Sequence, residues 1–265
     1  MKILAAGNSH IASLKEAHAV AGNDTQIDFV PLNLTGGQGN AIVRGRGRIT
    51  FAERSDLKPI DIVAADYDAL VIVGAFIGGD GIFRSLVNRS CFTALRDDKA
   101  VAAVPATARS LGTNGRWYHK ARVLAPKVPG IQVSEDVARA AIGGQIAERL
   151  EAFQAQRLRS LYKRVIWFES PFPKRSVFRL MWGPAYSASG EAKRLHSIYR
   201  DELLASSLRD MVDFVEFPDY MTEEDGIHLL PEFSLTPGKL DIHAGAEFGR
   251  WMLDQIEERC QSSTI

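Results

Sequence analysis

The hydrophobic positions of the chain follow two patterns that alternate along its length. Continuous apolar runs predict short strands, and such runs are typical of parallel strands that are buried on both faces. Apolar positions spaced by three or four residues predict amphipathic helices between these strands. The predicted strands are residues 3–6, 26–30, 67–76, 164–170 and 212–218, and the helical spacings cover residues 9–20, 82–98, 134–162, 189–211 and 244–260.

One further stretch departs from both patterns. Residues 41–52, "AIVRGRGRITFA", alternate between apolar and polar positions and turn at Gly45–Gly47, which predicts a peripheral hairpin. The complete order, β-α-β, hairpin, β-α-α-β-α-β-α, predicts an α/β fold: a three-layer α/β/α sandwich around a central parallel sheet. We expect a single domain over residues 1–265, within which residues 77–162 form a helical and irregular, lid-like insertion.

This fold class indicates where a ligand would bind. In doubly wound sheets, ligands lie outside the carboxyl ends of the strands. Three of the segments that follow predicted strands are "GNSH" at 7–10, "TGGQG" at 35–39 and "GAFIGGDG" at 74–81. We expect these segments on one rim of the sheet, where the loop at 219–243 can join them.

Charge and composition exclude several classes of function. The chain carries 32 Lys and Arg against 32 Asp and Glu, so no net field attracts nucleic acid or an anionic membrane. The first apolar run is shorter than the roughly 7–15 residues of a signal-peptide core, and no run approaches the ~20 residues of a membrane span. Cys91 and Cys260 match no metal-ligand spacing, which favours free thiols in a reducing compartment. We expect a soluble cytoplasmic protein without a metal site, and the sequence indicates no oligomeric state.

The corner between the first predicted strand and the first predicted helix, Gly7-Asn8-Ser9-His10, has two interpretations. In one, Asn8 or Ser9 is an ordinary N-cap that accepts a hydrogen bond from a backbone N–H of the first turn. In the other, Ser9 is a nucleophile, because a helix N-terminus offers N–H donors and a positive dipole end to a developing oxyanion. Gly7 would let a substrate carbonyl approach the backbone. A serine nucleophile also needs a base to take its proton.

Two histidines near the C-terminus are candidate bases. His243 directly precedes the last predicted helix and follows Asp241 by two residues, and His228 follows Asp225 by three residues. Loop histidines with acidic neighbours are also common without any catalytic role, so both interpretations stay open at this point. His10 is adjacent to Ser9 but is expected to point elsewhere on the helix.

The segments "ILAAGNSHIASLKEA" and "DIHAGAEFGRWMLDQI", at the two ends of the chain, resemble the SGNH/GDSL hydrolases. More narrowly, the first segment resembles a bacterial branch whose first block reads Gly-Asn-Ser-His in place of Gly-Asp-Ser-Leu. The resemblance extends over the whole chain in the order of elements and is specific at these two ends. It implies a flavodoxin-like sandwich that cleaves esters, often of acyl groups on carbohydrates or lipids, without a metal or organic cofactor.

The resemblance also implies roles for individual residues and a class of partner. The expected partner is a small-molecule or glycan ester, and neither nucleic acid nor a membrane. The implied site consists of Ser9 as nucleophile and oxyanion donor, Gly36 or Gly37 as second oxyanion donor, His243 as general base and Asp241 as its orienting carboxylate, with His228 and Asp225 in reserve.

The sequence departs from the family pattern in two places. Phe76 stands where the family has the side-chain amide of its oxyanion hole, and losing one such donor typically costs about 10²–10³ in rate. The Asp-x-x-His block is one residue short at Asp241–His243 and correctly spaced at Asp225–His228. A second hypothesis is therefore a non-catalytic or acyltransferase relative that binds glycan or acyl groups. A third, phosphate binding at the helix N-terminus, lacks both the Gly-x-Gly-x-x-Gly pattern and a Walker lysine.

Overall fold

The structure, a computed structural model, describes residues 1–22, 24–32, 41–44, 47–51, 60–74, 135–152, 155–171, 174–175, 191–206, 208–224, 226–235 and 243–261. The strands are β1 (Lys2–Gly7), β2 (Gln26–Pro31), β3 (Ala41–Arg44), β4 (Arg48–Phe51), β5 (Ile60–Val63), β6 (Ala69–Val73), β7 (Arg164–Phe168) and β8 (Asp213–Val215). The helices are α1 (Ile11–Ala21), α2 (Glu135–Ala152), α3 (Ala155–Leu161), α4 (Glu191–Ala205), α5 (Leu208–Met211) and α6 (Ala246–Gln261), with 3₁₀ turns at Ala64–Asp66, Asp219–Met221 and Pro231–Phe233. None of the helices in these ranges is both long and apolar enough to cross a membrane.

The central sheet has five strands in the order β2-β1-β6-β7-β8, and each neighbouring pair is parallel. Numbered within this sheet alone, the order is 2-1-3-4-5, which is the flavodoxin-like order of doubly wound α/β proteins. The α/β fold class predicted from the apolar runs is confirmed. The order of the strands reverses between β1 and β6, and ligands of such folds bind outside the carboxyl ends of the strands at this point.

Alternate residues of the central strands face opposite sides of the sheet, and both sides are covered. On one face, Ala5, Val71 and Phe168 pack with apolar residues of α1 and α6 in one cluster. On the other face, Leu70 and Trp167 are fully buried. The burial of both faces explains why these strands read as continuous apolar runs.

The predicted hairpin is confirmed, and it belongs to a separate antiparallel sheet of three strands. β3 pairs with β4, and β5 adds to the other edge of β4. The sequence pattern did not predict β5, because its four residues include a charged side chain, Asp61. That carboxylate accepts a hydrogen bond from the Thr50 hydroxyl of β4 at 2.5 Å, so a polar cross-strand pair adds to the apolar pair of Ile49 and Ile62.

The helix predictions hold with shifted boundaries. The region predicted as one helix over residues 134–162 contains α2 and α3, and Gly143-Gly144 does not interrupt α2. The helix predicted over residues 9–20 begins at Ile11 and ends at Ala21. The next residue, Gly22, is its C-cap and has a left-handed φ of 60°. The predicted helix over residues 82–98 lies outside the described residues. The boundaries of the lid-like insertion, and the single domain over residues 1–265, stay predictions.

The first and last helices pack at very short range because Gly249 has no side chain. A β-carbon at position 249 of α6 would lie 1.9 Å from the carbonyl oxygen of Ser13 in α1. The segment that precedes α6 contains His243, and the corner that precedes α1 contains Ser9. This helix pair therefore brings the two ends of the chain that resemble a hydrolase to one side of the sheet.

Gly249→Ala is expected to lower the free energy of unfolding by about 1–3 kcal/mol or more, because the added methyl group must push α6 away from α1. Urea denaturation measures this loss. Gly144→Ala in α2 is the matched control, since no atom lies within 4 Å of its β-carbon position. The control is expected to stabilise the protein by roughly 0.5–1 kcal/mol, as alanine does in helices. Equal effects of the two substitutions would contradict the close helix contact.

Candidate active site

The corner after β1 lies at the point where the strand order reverses. Gly7 is paired with Val73 of β6, and a β-carbon at Gly7 would lie 2.5 Å from the Val73 carbonyl oxygen. The N–H of Asn8 donates to that same oxygen at 3.1 Å. The glycine therefore lets the ends of β1 and β6 approach closely, and it fixes the start of the turn that leads into α1.

The Asn8 side chain stabilises this turn and links it to the segment that follows β7. Its Oδ1 accepts a hydrogen bond from the His10 N–H at 3.0 Å, and its Nδ2 donates to the Ser170 hydroxyl at 3.3 Å. Between β1 and β7 the amide passes over Gly74, at the end of β6, where a β-carbon would lie 2.5 Å from Nδ2. Gly74 also has a φ of 70°, so both the backbone and the contact with Asn8 require glycine there.

The Ser9 side chain, in the middle of this turn, is exposed. The N-cap of α1 is His10, whose side chain makes no capping hydrogen bond, so the interpretation of Asn8 or Ser9 as the N-cap is wrong. The Asn8 amide instead accepts the His10 N–H just before the helix begins. The N–H groups of Asn8 and His10 are both paired, whereas the N–H and the hydroxyl of Ser9 donate to no acceptor in the described part of the chain. Among the described residues, the corner thus presents one residue, close to the N-terminus of α1, whose hydroxyl and N–H both lack an acceptor.

The first turn of α1 binds both backbone groups of Ala244. Nδ1 of His10 accepts a hydrogen bond from the Ala244 N–H at 3.3 Å, and the Ser13 hydroxyl donates to the Ala244 carbonyl oxygen at 2.6 Å. All three residues are buried. Ala244 also forms an isolated antiparallel bridge with Ser234. The residue that follows His243 is therefore held on two sides.

His243 lies next to the same corner. Its ring is half-buried and meets the His10 ring edge-on, with 5.9 Å between the centroids. Its carbonyl oxygen accepts a hydrogen bond from the Leu235 N–H at 2.9 Å. No hydrogen bond joins His243 to the Ser9 hydroxyl among the described residues. The structure thus brings the imidazole to the neighbour of Ser9, and its role as a base stays a prediction.

The loop that supports His243 is attached to the segment after β7. Lys174 is only 2% exposed, and its ammonium group donates to the Ser234 hydroxyl at 3.3 Å. Arg175 forms an ion pair with Glu223 at 2.5 Å. Because Ser234 is the bridge partner of Ala244, Lys174 supports the strand segment that pairs with the residue after His243.

His228, the reserve base, is placed differently. It is 1% exposed, and its carbonyl oxygen accepts a hydrogen bond from the Glu223 N–H at 2.7 Å. In the ranges that the structure covers, no contact joins it to Ser9. Four residues of the implied site and the residue at the family's amide position lie outside the described residues, and their roles stay predictions: Gly36, Gly37, Asp225, Asp241 and Phe76.

A buried ion pair supports the rim at the end of β7. Glu169 is 2% exposed, and its carboxylate accepts hydrogen bonds from Arg200 of α4 at 3.1 Å and from the Phe217 N–H at 2.9 Å. Burial raises the pKa of Glu169, although Arg200 and the Phe217 N–H partly offset this effect. The next residue is Ser170, so this pair supports the strand end that binds Asn8.

The residues that sequence reasoning missed at this site are polar groups whose partners are distant in sequence. His10 was expected to point away, yet its ring is buried against Ala244 and His243. Ser13 and Ser170 were not singled out. The one local signal for His10 is the histidine in the fourth position of the first block, where the usual motif has leucine. A hydrogen-bonding ring thus replaces an apolar side chain.

Neither a protein-family model nor a curated protein matches the chain. Among solved structures, the chain is similar to a GDSL-like lipase of Bacteroides thetaiotaomicron, with 10% identity, a TM-score of 0.43 and coverage of 100% of this chain and 89% of that one. It is also similar to a Bacteroides fragilis protein provisionally classed as an acylhydrolase, with 12% identity, a TM-score of 0.42 and coverage of 99% and 87%. A third is a carbohydrate acetylesterase family member of Sinorhizobium meliloti, with 15% identity, a TM-score of 0.37 and coverage of 99% and 98%.

These three proteins are named as an acylhydrolase, a GDSL-like lipase and a carbohydrate acetylesterase family member. Their identities and TM-scores are low, so they assign neither an activity nor a substrate to this chain. A function for it must come from its own residues and their geometry.

Gly74→Ala is expected to destabilise the protein more than Gly22→Ala does. Both glycines have positive φ, of 70° and 60°, so each substitution carries the left-handed strain of about 1–2 kcal/mol. Only Gly74 is also packed against Asn8, which adds about 1–3 kcal/mol of overpacking. Urea denaturation of the two variants separates these effects. Equal losses would show that Asn8 does not occupy the space above Gly74.

Arg200→Met is expected to lower the free energy of unfolding by about 3–5 kcal/mol, because it leaves the buried carboxylate of Glu169 without its cation. The loss should grow with pH. Because the folded-state pKa of Glu169 is raised, its protonation stabilises the folded state at pH values below the ordinary glutamate pKa. This stabilisation disappears as the pH rises through the raised pKa.

Urea midpoints measured at about pH 5 and about pH 8 test this sign. The matched control is Arg139→Met, which breaks ion pairs to the more exposed carboxylates of Glu135, Asp201 and Glu202. Surface pairs of this kind contribute about 0–1 kcal/mol. A loss for Arg200→Met that shrinks with rising pH would contradict the assignment.

Proposed function

We propose that this protein is a serine esterase of the SGNH type that acts on a small-molecule or glycan ester. The observation that carries the proposal is the state of Ser9 at the corner after β1. Its hydroxyl and its N–H are both free among the described residues, whereas the N–H groups on either side are paired. The proposal is also supported by the imidazole of His243, which contacts the ring of His10, the residue that follows Ser9.

The proposed reaction begins with attack of the Ser9 hydroxyl oxygen on the acyl carbon of the ester. His243 takes the hydroxyl proton as the new C–O bond forms, and the carbonyl oxygen becomes an oxyanion. The Ser9 N–H and the N–H of Gly36 or Gly37 stabilise this oxyanion, with further help from the positive end of α1. Asp241 orients His243 in this proposal.

The tetrahedral intermediate then collapses to an acyl-enzyme. The bond between the acyl carbon and the alcohol oxygen breaks, and the alcohol leaves with the proton held by His243. Water repeats the sequence: His243 takes its proton, the acyl group leaves as a carboxylic acid, and Ser9 regains its hydrogen. No cofactor or metal takes part in this proposal, and the proposed setting, from the sequence pattern, is the cytoplasm.

A second candidate is an acyltransferase or a non-catalytic relative that binds glycan or acyl groups. Phe76 at the family's amide position favours it, because an oxyanion hole that lacks one donor slows the hydrolysis of an acyl-enzyme. A transferase would pass the acyl group from Ser9 to the hydroxyl of an acceptor in place of water. A non-catalytic relative would form no acyl-enzyme.

A fluorophosphonate probe is expected to label Ser9, because it traps an activated serine hydroxyl. The label and the hydrolysis of p-nitrophenyl acetate should both disappear in Ser9→Ala, with a loss of several orders of magnitude. Ser160→Ala, which removes an exposed serine of α3 far along the chain, is the control and should keep both signals. Intact-mass measurement reports the label directly.

The two candidate bases are separated in the same assay. His243→Gln should reduce hydrolysis by about 10²–10⁴-fold, the usual contribution of a general base, and His228→Gln should retain activity. Wild-type protein that stays unlabelled at about pH 8, where a histidine base is neutral, would falsify the esterase proposal. A label without turnover, restored by an added alcohol acceptor, would support the transferase.

A further inference from the structure

We infer that His10 is a positioning residue, and that its neutral imidazole holds the Ala244 peptide so that His243 stays beside Ser9. This inference rests on the proposed esterase function for its catalytic meaning. The contacts themselves are independent of that function. They are the hydrogen bond from the Ala244 N–H to His10 Nδ1 at 3.3 Å and the edge-on contact of the two imidazole rings at 5.9 Å.

The direction of the hydrogen bond determines the protonation state of His10. The Ala244 N–H is the donor, so Nδ1 must offer a lone pair, and the ring hydrogen lies on Nε2. The ring is 5% exposed and packs edge-on against Phe248 of α6, with 6.1 Å between the centroids. The described titratable side chain that contacts it is His243, on the segment that it binds. The first helix thus carries a buried acceptor aimed at the segment before the last helix.

The second half of the attachment comes from Ser13, one turn further along α1. Its hydroxyl donates to the Ala244 carbonyl oxygen at 2.6 Å. The N–H that His10 binds belongs to the peptide group between His243 and Ala244, so the backbone of His243 is fixed at its C-terminal side. The carbonyl oxygen of that same peptide group accepts the Leu235 N–H. With this peptide held on both edges, the remaining freedom of His243 is mainly rotation of its side chain.

Leucine, which the usual first block has at this position, would fill much of the same space. It has no acceptor for the Ala244 N–H, however, and this buried group would lose its partner. Asparagine instead keeps an acceptor without the ring, because its Oδ1 is two bonds from Cβ, as Nδ1 is in histidine. The two substitutions therefore separate packing from hydrogen bonding at one position.

The kinetic experiment compares His10→Leu, His10→Asn and, as control, His18→Leu, which changes a half-buried histidine at the other end of α1. For p-nitrophenyl acetate, His10→Leu is expected to lower kcat by about 10²-fold with little change in KM, because a displaced catalytic group costs rate and not binding. His10→Asn should recover most of kcat, and His18→Leu should behave as wild type. Equal kcat for His10→Leu and wild type, or equal losses for Leu and Asn, would overturn the inference.

A second measurement needs no activity. In the Ser9→Ala background, hydrogen exchange of the Ala244 amide should be slow with His10 or Asn at position 10 and much faster with Leu. Imidazole ¹⁵N spectra at neutral pH should show Nδ1 of His10 unprotonated. Slow exchange in His10→Leu, or a proton on Nδ1, would overturn the inference. If wild type shows no Ser9-dependent hydrolysis, the esterase proposal fails, and the exchange data still decide whether His10 holds Ala244.

Discussion

The candidate site depends on one contact, the packing of the first helix against the last. At Gly249 the two helices approach until backbone meets backbone, and near their N-terminal ends the side chains of His10 and Ser13 bind the peptide groups of Ala244. These hydrogen bonds join residues 234 and 231 positions apart. Closing a loop of this length costs entropy, which the apolar cluster around Phe248 and Leu14 must offset. The geometry of the site is therefore inseparable from the folding of the whole chain.

The second constraint acts within four residues. Gly7 lets the ends of β1 and β6 approach closely, and Asn8 accepts the His10 N–H just before α1 begins. The N–H and hydroxyl of Ser9 donate to no acceptor in the described ranges. In an ordinary strand-to-helix corner, the serine itself would serve as the cap. Here the N-cap is His10, the Asn8 amide accepts the His10 N–H, and the Ser9 hydroxyl donates to no described acceptor at the edge of the sheet where ligands of this fold bind. Local hydrogen bonding thus selects which residue is available for chemistry.

Sequence patterns were sufficient to locate the parallel strands along the chain, because the central strands, buried on both faces, contain almost no polar residue. They failed for β5, where Asp61 interrupts the apolar pattern and a hydroxyl of the neighbouring strand stabilises it. Ser9 and His243 were singled out through the two end motifs, and their catalytic roles stay predictions. His10, Ser13 and Ser170 were not, because each acts through a partner in another element, and no spacing along the chain reports such a contact.

The bridge from Asn8 to Ser170 has a consequence for which side chains position 8 can accept. A hydroxyl both donates and accepts, so Ser170 can rotate and donate to a carboxylate placed where the amide nitrogen now lies. The other oxygen would still accept the His10 N–H. An Asn8→Asp substitution would thus keep both hydrogen bonds of this corner. Asparagine and aspartate at position 8 are both compatible with this contact, because the Ser170 hydroxyl can accept from an amide or donate to a carboxylate.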